Sequence, residues 1–134
     1  MNTKQKSTIM NVKEKTISIK FLQEKAKMPY KPNPDEAIFD VFAAGKPVYD
    51  PKKNVMTYTT GVSIEIPKGY IAMLLPVAHS IKYGWALQTG LITPGEEIKY
   101  QYKMNKQGRL LEEGDVVGQF VVIPIQNFEL IKQQ

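Results

Sequence analysis

The side chains of this chain that could carry chemistry are few and of different classes. The candidates comprise a carboxylate, an imidazole, two hydroxyls, an amide and a small residue next to the imidazole. They are Asp40, Ala78, His79, Ser80, Thr93 and Gln119. Hydrolysis of a phosphate ester needs a carboxylate to activate water, cationic donors for the developing charge and, as a rule, a divalent metal ion. This set supplies little of that machinery, so we expect no catalytic residue among the six and keep them as candidate ligand contacts.

A resident metal site is not expected. His79 is the only histidine, and cysteine is absent, which excludes thiolate ligands and disulfides. We expect His79 to be a surface loop residue or one that bonds to the backbone, and the alternative is a contact with a phosphate or another ligand. The sequence contains no phosphate-binding glycine loop of the Walker type, no Ser/His/Asp set and no aromatic RNA-binding platform.

Arginine is nearly absent, which limits phosphate chemistry. Arg109 is the only one in the chain, and it follows a turn at residues 105–108. The planar guanidinium is the preferred bidentate clamp for phosphate, and lysine does not replace it conservatively. A site with several arginine clamps per chain is therefore excluded, and we expect Arg109 to be a solvated loop cation.

The elements that must position these residues are predicted to be strands. Apolar and polar residues alternate with period two in residues 16–22, 62–66 and 98–104. Glycine- and proline-containing turns separate such segments, as at residues 67–69 and 93–95. No segment has a long helical periodicity, so the pattern predicts an all-β sandwich or barrel. Residues 127–134 are interpreted as one more strand followed by a polar stub.

Two segments are apolar on both faces, namely residues 71–76 and 116–125. Both faces of such strands must be covered. In a domain of this size one face can pack on the core, and a neighbouring copy in a homo-oligomer can cover the other. The alternative is that these are fully internal strands of a larger sandwich.

Six segments, read in order, resemble the trimeric dUTPase family over about residues 16–126. Residues 17–29 resemble the first strand and the loop after it, and residues 37–43, Ala-Ile-Phe-Asp-Val-Phe-Ala, resemble the first motif. Residues 60–70 are similar to the central strand and turn. Residues 75–80, 90–93 and 114–119 take the places of the second, third and fourth motifs. The resemblance implies a distorted jelly-roll β-barrel, a homotrimer, and active sites in clefts between subunits.

The same comparison shows where this chain departs from the family's chemistry. In the family an aspartate of the third motif orients the attacking water, and Thr93 takes its place here. Glu96 or Glu97 could replace it as a base, but a glutamate in a turn is more often a solvated charge. Asp40 keeps the acid of the first motif, which in the family lies near the metal. With its partners replaced, we expect Asp40 to have a structural hydrogen-bonding role.

The phosphate-binding positions are also changed. Val77 and Ala78 replace the arginine and a serine of the second motif. Val116 replaces the arginine of the fourth motif, whose glutamine is kept as Gln119. The fifth motif, a C-terminal arm rich in glycine and arginine that closes over the nucleotide, has no counterpart. The resemblance thus implies the fold and the trimer, and Mg²⁺ would be needed only if the chain were active.

Charge is concentrated at the N-terminal end of the chain. Residues 1–31 contain eight lysines against two glutamates, although the net charge of the whole chain is only +5. We divide the chain into a basic N-terminal arm, residues 1–15, and a β-barrel domain, residues 16–134. The arm residues expected to dock on a partner are Lys4, Lys6, Ile9, Met10, Val12, Lys13 and Lys15. An acidic protein face or nucleic acid would suit them, although no nucleic-acid motif is present, and a solvated tail is the alternative.

The sequence therefore predicts a non-catalytic trimer with a structural or assembly role, such as decorating a virion or capsid through the basic arm. One alternative is a module that binds a small molecule or nucleotide in the cleft between subunits. Another is a divergent dUTP diphosphatase. No run of 18 or more apolar residues is present, so no membrane association is expected. The expected location is the cytoplasm, or a virion if the protein is viral.

Overall fold

Regular structure is almost entirely β-strand in the computed structural model, which describes residues 15–105 and 108–134. The elements of these residues are β1 (Ser18–Phe21), β2 (Ile38–Phe42), β3 (Val48–Asp50), β4 (Val55–Glu65), β5 (Tyr70–Pro76), α1 (Ala78–Lys82), β6 (Ala86–Leu87), β7 (Glu97–Lys103) and β8 (Val116–Pro124). The all-β class predicted from period-two patterning is confirmed. No helix of the described residues is long and apolar enough to cross a bilayer.

The strands form two antiparallel sheets. The five-stranded sheet has the order β1-β4-β7-β6, with β3 also paired to β4. The three-stranded sheet has the order β2-β8-β5. Strand β8 pairs with β5 over seven residues, from Tyr70 opposite Pro124 to Pro76 opposite Gly118. These two sheets are the distorted jelly roll that the sequence predicted.

The core lies between the sheets and follows the predicted alternation. Ile98, Tyr100 and Tyr102 of β7 are buried, whereas Lys99 and Lys103 between and beyond them are exposed. The period of two residues places alternate side chains on opposite faces of a strand, so one face of β7 covers the core. Burial of this apolar face is the main force holding the two sheets together.

Tyrosine hydroxyls connect the two sheets across this core. The hydroxyl of Tyr100 donates to the carbonyl of Gln119 at 2.6 Å, and that of Tyr102 donates to the carbonyl of Val117 at 2.5 Å. Burial raises the pKa of Tyr102 to about 12 and that of Tyr100 well above its ordinary value. Both phenols therefore stay neutral donors at physiological pH, and each hydroxyl is satisfied inside the core.

A glycine of β8 permits this close contact. A Cβ built on Gly118 would lie 2.0 Å from Cε2 of Tyr100, much closer than two carbon atoms can approach. Only a residue without a side chain therefore fits beneath the ring. Gly118 precedes Gln119, so the packing of Tyr100 also fixes the backbone that carries one of the candidate site residues.

The outer face of the three-stranded sheet remains apolar and partly exposed. In β5, Ala72 and Leu74 face the core, whereas Met73 faces outward and is 36% exposed. Leu91, which forms a bridge with Met73, is 63% exposed. The segments predicted to be apolar on both faces thus have one buried and one open face within a single copy.

The prediction of a last strand in residues 127–134 is wrong. Strand β8 ends at Pro124, the amide of Ile125 bonds to the carbonyl of Gly69, and no strand follows. Residues 126–134 are exposed and pair with none of the described strands of their own copy. The basic arm lies outside the described residues except for Lys15, whose ammonium group is 5.7 Å from the ring centroid of Tyr70.

Candidate functional site

Asp40 and Gln119 form a pair on the outer face of the three-stranded sheet. They lie directly opposite each other in β2 and β8. The amide Nε2 of Gln119 donates to Oδ1 of Asp40 at 2.8 Å, and both side chains are partly buried. The amide nitrogen of Gln119 and one oxygen of Asp40 are thus bonded to each other, and the structural role expected for Asp40 stays a prediction.

Ala78, His79 and Ser80 lie in α1, directly after β5. Val77 occupies the N-cap position in an extended conformation and has no side chain that could cap the helix. Ser80 is fully buried, and its hydroxyl donates to the carbonyl of Val77 at 2.6 Å. The hydroxyl that could have held a ligand is therefore used by the backbone of its own turn.

The imidazole of His79 packs in an aromatic cluster. Its ring centroid lies 4.8 Å from that of Tyr83 and 5.1 Å from that of Trp85. Its Nε2 also bonds to the backbone carbonyl of Arg109. His79 was expected to be either a surface loop residue or a residue bonded to the backbone, and the structure shows the second arrangement. The imidazole joins α1 to the loop at residues 108–110.

Thr93 lines a separate cleft of about 240 Å³. Glu96 and Glu97 also line it, and they are the closest candidates for a substitute base. Oε2 of Glu97, however, accepts a hydrogen bond from the amide of Gly61 at 2.9 Å. Thr93 is the only one of the six candidate residues in the lining of this cleft. For Glu96, the other acid in the lining, the structure gives no side-chain hydrogen bond.

Strand order places Thr93 far from Asp40 within one copy. Leu74 of β5 bonds through its amide to the carbonyl of Gly90, so residues 90–92 continue the β2-β8-β5 order on the far side of β5. Neighbouring strands lie about 4.8 Å apart, so three spacings separate Asp40 from this segment by about 14 Å. Asp40 and Thr93 are therefore apart within one copy, and only a second copy could bring them together.

Lys99 is a cation in the lining of the Thr93 cleft. Arg109 is exposed and lines a different cavity, together with Pro47 and Glu113. Among residues 15–105 and 108–134, no three His, Asp or Glu side chains are close enough to form a metal site.

Sequence reasoning missed the tyrosines that support the site. Tyr102 was placed on the apolar face of its strand, but its hydroxyl donates to the carbonyl of Val117 and lies 3.3 Å from the amide of Val77, just before α1. The usable signal was the residue type, because a buried tyrosine hydroxyl normally finds a hydrogen-bond partner. The aromatic neighbours of His79 gave no comparable signal in the sequence.

Comparisons with known proteins show two curated relatives and many similar solved structures, while no family model matches the chain. The deoxyuridine 5'-triphosphate nucleotidohydrolase of Clostridium tetani is 30% identical over 132 residues, which cover 89% of this chain and 87% of that protein. The enzyme of the same name from Hydrogenobaculum is 25% identical over 126 residues, covering 85% and 83%. A variant dUTPase from phage phi11 of S. aureus, whose structural Mg(II) ion was described, superposes with a TM-score of 0.71 at 24% identity over 90% of this chain and 97% of that one.

Proposed function

The chain belongs to the trimeric dUTPase family, and from that membership we propose that it is a non-catalytic member whose trimer serves as a binding and assembly subunit. The two-sheet jelly roll agrees with this membership. The proposal concerns the chemistry, which depends on individual side chains and does not follow from the fold.

The observation that carries the proposal is the cleft at Thr93. A threonine hydroxyl cannot act as a general base near neutral pH, so a carboxylate would have to replace it. Glu97 is bonded to the amide of Gly61, and Glu96 lies on an exposed turn. Loss of a positioned base lowers the rate of such reactions by about 10²- to 10⁴-fold.

The phosphate-binding positions support the same proposal. Val77 and Val116 offer no donor for phosphate oxygens, and the amide of Gln119 is bonded to Asp40. Charge-assisted hydrogen bonds contribute roughly 1.5–3 kcal/mol each. Loss of two would weaken binding of a nucleoside triphosphate by about two to four orders of magnitude.

Self-association is supported by the open apolar face of the three-stranded sheet. Met73, Leu91 and Ile125 are between 36% and 63% exposed. Packing against other copies around a three-fold axis would remove this surface from water.

A partner beyond the trimer is proposed for the basic arm, residues 1–15. Its lysines would meet an acidic surface, as in a virion or capsid, and the protein would otherwise be found in the cytoplasm. Deletion of residues 1–15 should leave the fold intact and weaken binding to that partner. Added salt should weaken binding of the intact chain if charge dominates the contact. Undiminished binding after the deletion would rule out the arm as the docking element.

Two other functions have some support. The names of both curated relatives favour a divergent dUTP diphosphatase that uses Mg²⁺, with a second copy lending the missing groups. The cleft of about 240 Å³ at Thr93 favours a module that binds another small molecule. A phosphate-sized anion or a nucleotide that co-purifies with the protein would favour the small-molecule-binding module.

The deciding experiment measures pyrophosphate release from dUTP with Mg²⁺. We expect no turnover above background from the unmodified protein, while the Clostridium tetani relative serves as a positive control for the assay. A Thr93→Asp variant tests whether the base alone is missing, and Thr89→Asp, which adds an acid elsewhere on the same cleft, is its matched control. Turnover near one per second in the unmodified protein would refute the non-catalytic proposal.

A further inference from the structure

The only tryptophan of the chain lies between two tyrosine rings whose surroundings differ. Trp85 is 4% exposed, and its ring centroid is 6.0 Å from that of Tyr83 and 6.0 Å from that of Tyr102. The imidazole of His79 packs against the first pair, with its centroid 5.1 Å from that of Trp85 and 4.8 Å from that of Tyr83. Rings at such distances are in contact or nearly so. An electron can therefore pass between Trp85 and either tyrosine, because electron transfer is fast between groups this close.

The backbone holds Tyr83 and Trp85 in this arrangement. Tyr83 is the C-cap of α1, and Gly84, with a φ of +69°, turns the chain so that the amide of Trp85 donates to the carbonyl of Ser80 at 2.8 Å. The ring of Tyr83 also packs on Gly108, where a Cβ would lie only 2.5 Å from Cγ of the ring. The distance between the two rings is thus fixed by the fold.

Tyr102 is a poor acceptor for an oxidation that begins on Trp85. A phenol that loses an electron must also lose its proton at neutral pH, because a positive charge buried in the core is costly. The hydroxyl of Tyr102 donates to the carbonyl of Val117 at 2.5 Å, and a peptide carbonyl is too weak a base to take the proton. The same burial raises the pKa of Tyr102 to about 12. The proton of Tyr102 therefore has nowhere to go.

Tyr83 differs in its access to water. Its side chain is only half-buried, and within residues 15–105 and 108–134 the structure gives its hydroxyl no hydrogen-bond partner, so water can take the proton. The ammonium group of Lys82 lies 5.5 Å from the ring centroid. Its charge disfavours a positively charged ring but not a neutral phenoxyl radical. Loss of the electron and loss of the proton are thus favoured together at Tyr83.

We propose that Tyr83 is the site at which this chain is modified by one-electron oxidation, because an oxidation of Trp85 passes to it. A one-electron oxidant, or light with an electron acceptor, first removes one electron from the indole of Trp85. Tyr83 then returns an electron to Trp85 and releases its O–H proton to water. The indole is restored, and a neutral phenoxyl radical remains on Tyr83. Oxidation that reaches the core is thereby moved to one surface position beside α1, whatever the Thr93 cleft binds.

Flash photolysis tests the transfer, because the chain contains one tryptophan. Light that tryptophan absorbs and tyrosine does not ejects an electron from Trp85 of the whole protein, and dissolved hexaamminecobalt(III) takes that electron up. The absorbance of the tryptophan radical should decay while that of a tyrosyl radical rises, at a rate independent of protein concentration. Tyr83→Phe should lower the yield of tyrosyl radical several-fold. Tyr102→Phe, which changes the equally distant ring, is the matched control and should leave the yield nearly unchanged.

Three results would overturn the proposal. One is a yield that Tyr102→Phe abolishes and Tyr83→Phe leaves unchanged, which would make the core tyrosine the acceptor. Another is a transfer rate proportional to protein concentration, which would mean transfer between molecules. The third is decay of the tryptophan radical in the wild type with no tyrosyl radical formed. Circular dichroism of both variants shows that each has kept the fold.

A second measurement needs only the unmodified protein. A nitroso spin trap is present during steady illumination, and the peptides of the digested protein are then analysed by mass spectrometry. The adduct should lie on Tyr83, with several-fold less on the exposed Tyr30 and Tyr49. Adducts mainly on Trp85 or Tyr102 would refute the transfer to Tyr83. Equal labelling of Tyr30, Tyr49 and Tyr83 would refute it as well, because it would mean that radicals in solution attack any exposed ring.

Discussion

Gly118→Ala is the substitution whose effect the structure defines most sharply. The added methyl carbon would lie 2.0 Å from Cε2 and 2.3 Å from Cδ2 of Tyr100. The ring is fully buried, and its hydroxyl donates to the carbonyl of Gln119 at 2.6 Å. Tyr100 cannot move toward solvent without leaving the core, so either the ring or β8 must shift.

The cost follows from two contributions. Forcing an extra methyl group into a well-packed core costs about 1–3 kcal/mol. Displacement of the Tyr100 hydroxyl from its acceptor adds about 1 kcal/mol. We therefore expect a loss of about 3 kcal/mol in the free energy of unfolding, out of the roughly 5–15 kcal/mol typical of such domains. For a chain of this size the melting temperature should fall by roughly 10 °C.

The measurement is urea unfolding followed by circular dichroism at one fixed protomer concentration, because association adds to the apparent stability. Gly45→Ala is the matched control, since a Cβ at Gly45 meets no atom within 4 Å. It should change the free energy of unfolding by less than about 0.5 kcal/mol. A Gly118→Ala variant as stable as this control would refute the packing argument.

Three other predictions concern stability. Because burial raises the pKa of Tyr102 to about 12, against about 10 in an unfolded chain, stability should be complete below pH 10 and fall as the pH rises toward 12. Urea titrations across that range should show the free energy of unfolding falling as the pH rises. In the Tyr102→Phe variant this fall should be shallower by up to about 1.4 kcal/mol per pH unit. Thr60→Val should cost about 1–2 kcal/mol in thermal unfolding, because the buried hydroxyl of Thr60 donates to the carbonyl of Ile98 at 2.6 Å. A Lys25→Ala change should cost less than about 1 kcal/mol by the same assay, since its salt bridge with Glu113 is exposed, and a larger loss would contradict this.

The strand pattern could be predicted from the sequence because it depends on local alternation. Residues 98–104 coincide closely with β7, and residues 71–76 lie within β5. The failure at residues 127–134 has the same origin. Alternation at Phe128 and Leu130 shows that the segment could be a strand, but a strand also needs an edge to pair with, and no edge of the same copy pairs with it.

The site was harder to predict because it depends on contacts between distant segments. The resemblance placed Thr93 and Asp40 in a cleft between subunits, and within one copy the order of strands separates them by three strand spacings. The hydrogen bond between Asp40 and Gln119 links residues 79 positions apart, and neither residue type predicts that the two side chains meet. His79 was assigned to two structural alternatives, and only its aromatic neighbours and the carbonyl of Arg109 distinguish between them.

The tyrosine hydroxyls that join β7 to β8 also determine how the domain opens. Amide protons exchange with solvent through local or cooperative opening, and elements that are bonded together open as one unit. Because Tyr100 and Tyr102 hold carbonyls of β8 from the opposite sheet, β8 cannot separate from β7 without breaking both bonds. The amides of these two strands should therefore share one opening free energy, equal to that of global unfolding, and those of β1, at an end of its sheet, should open at a lower one.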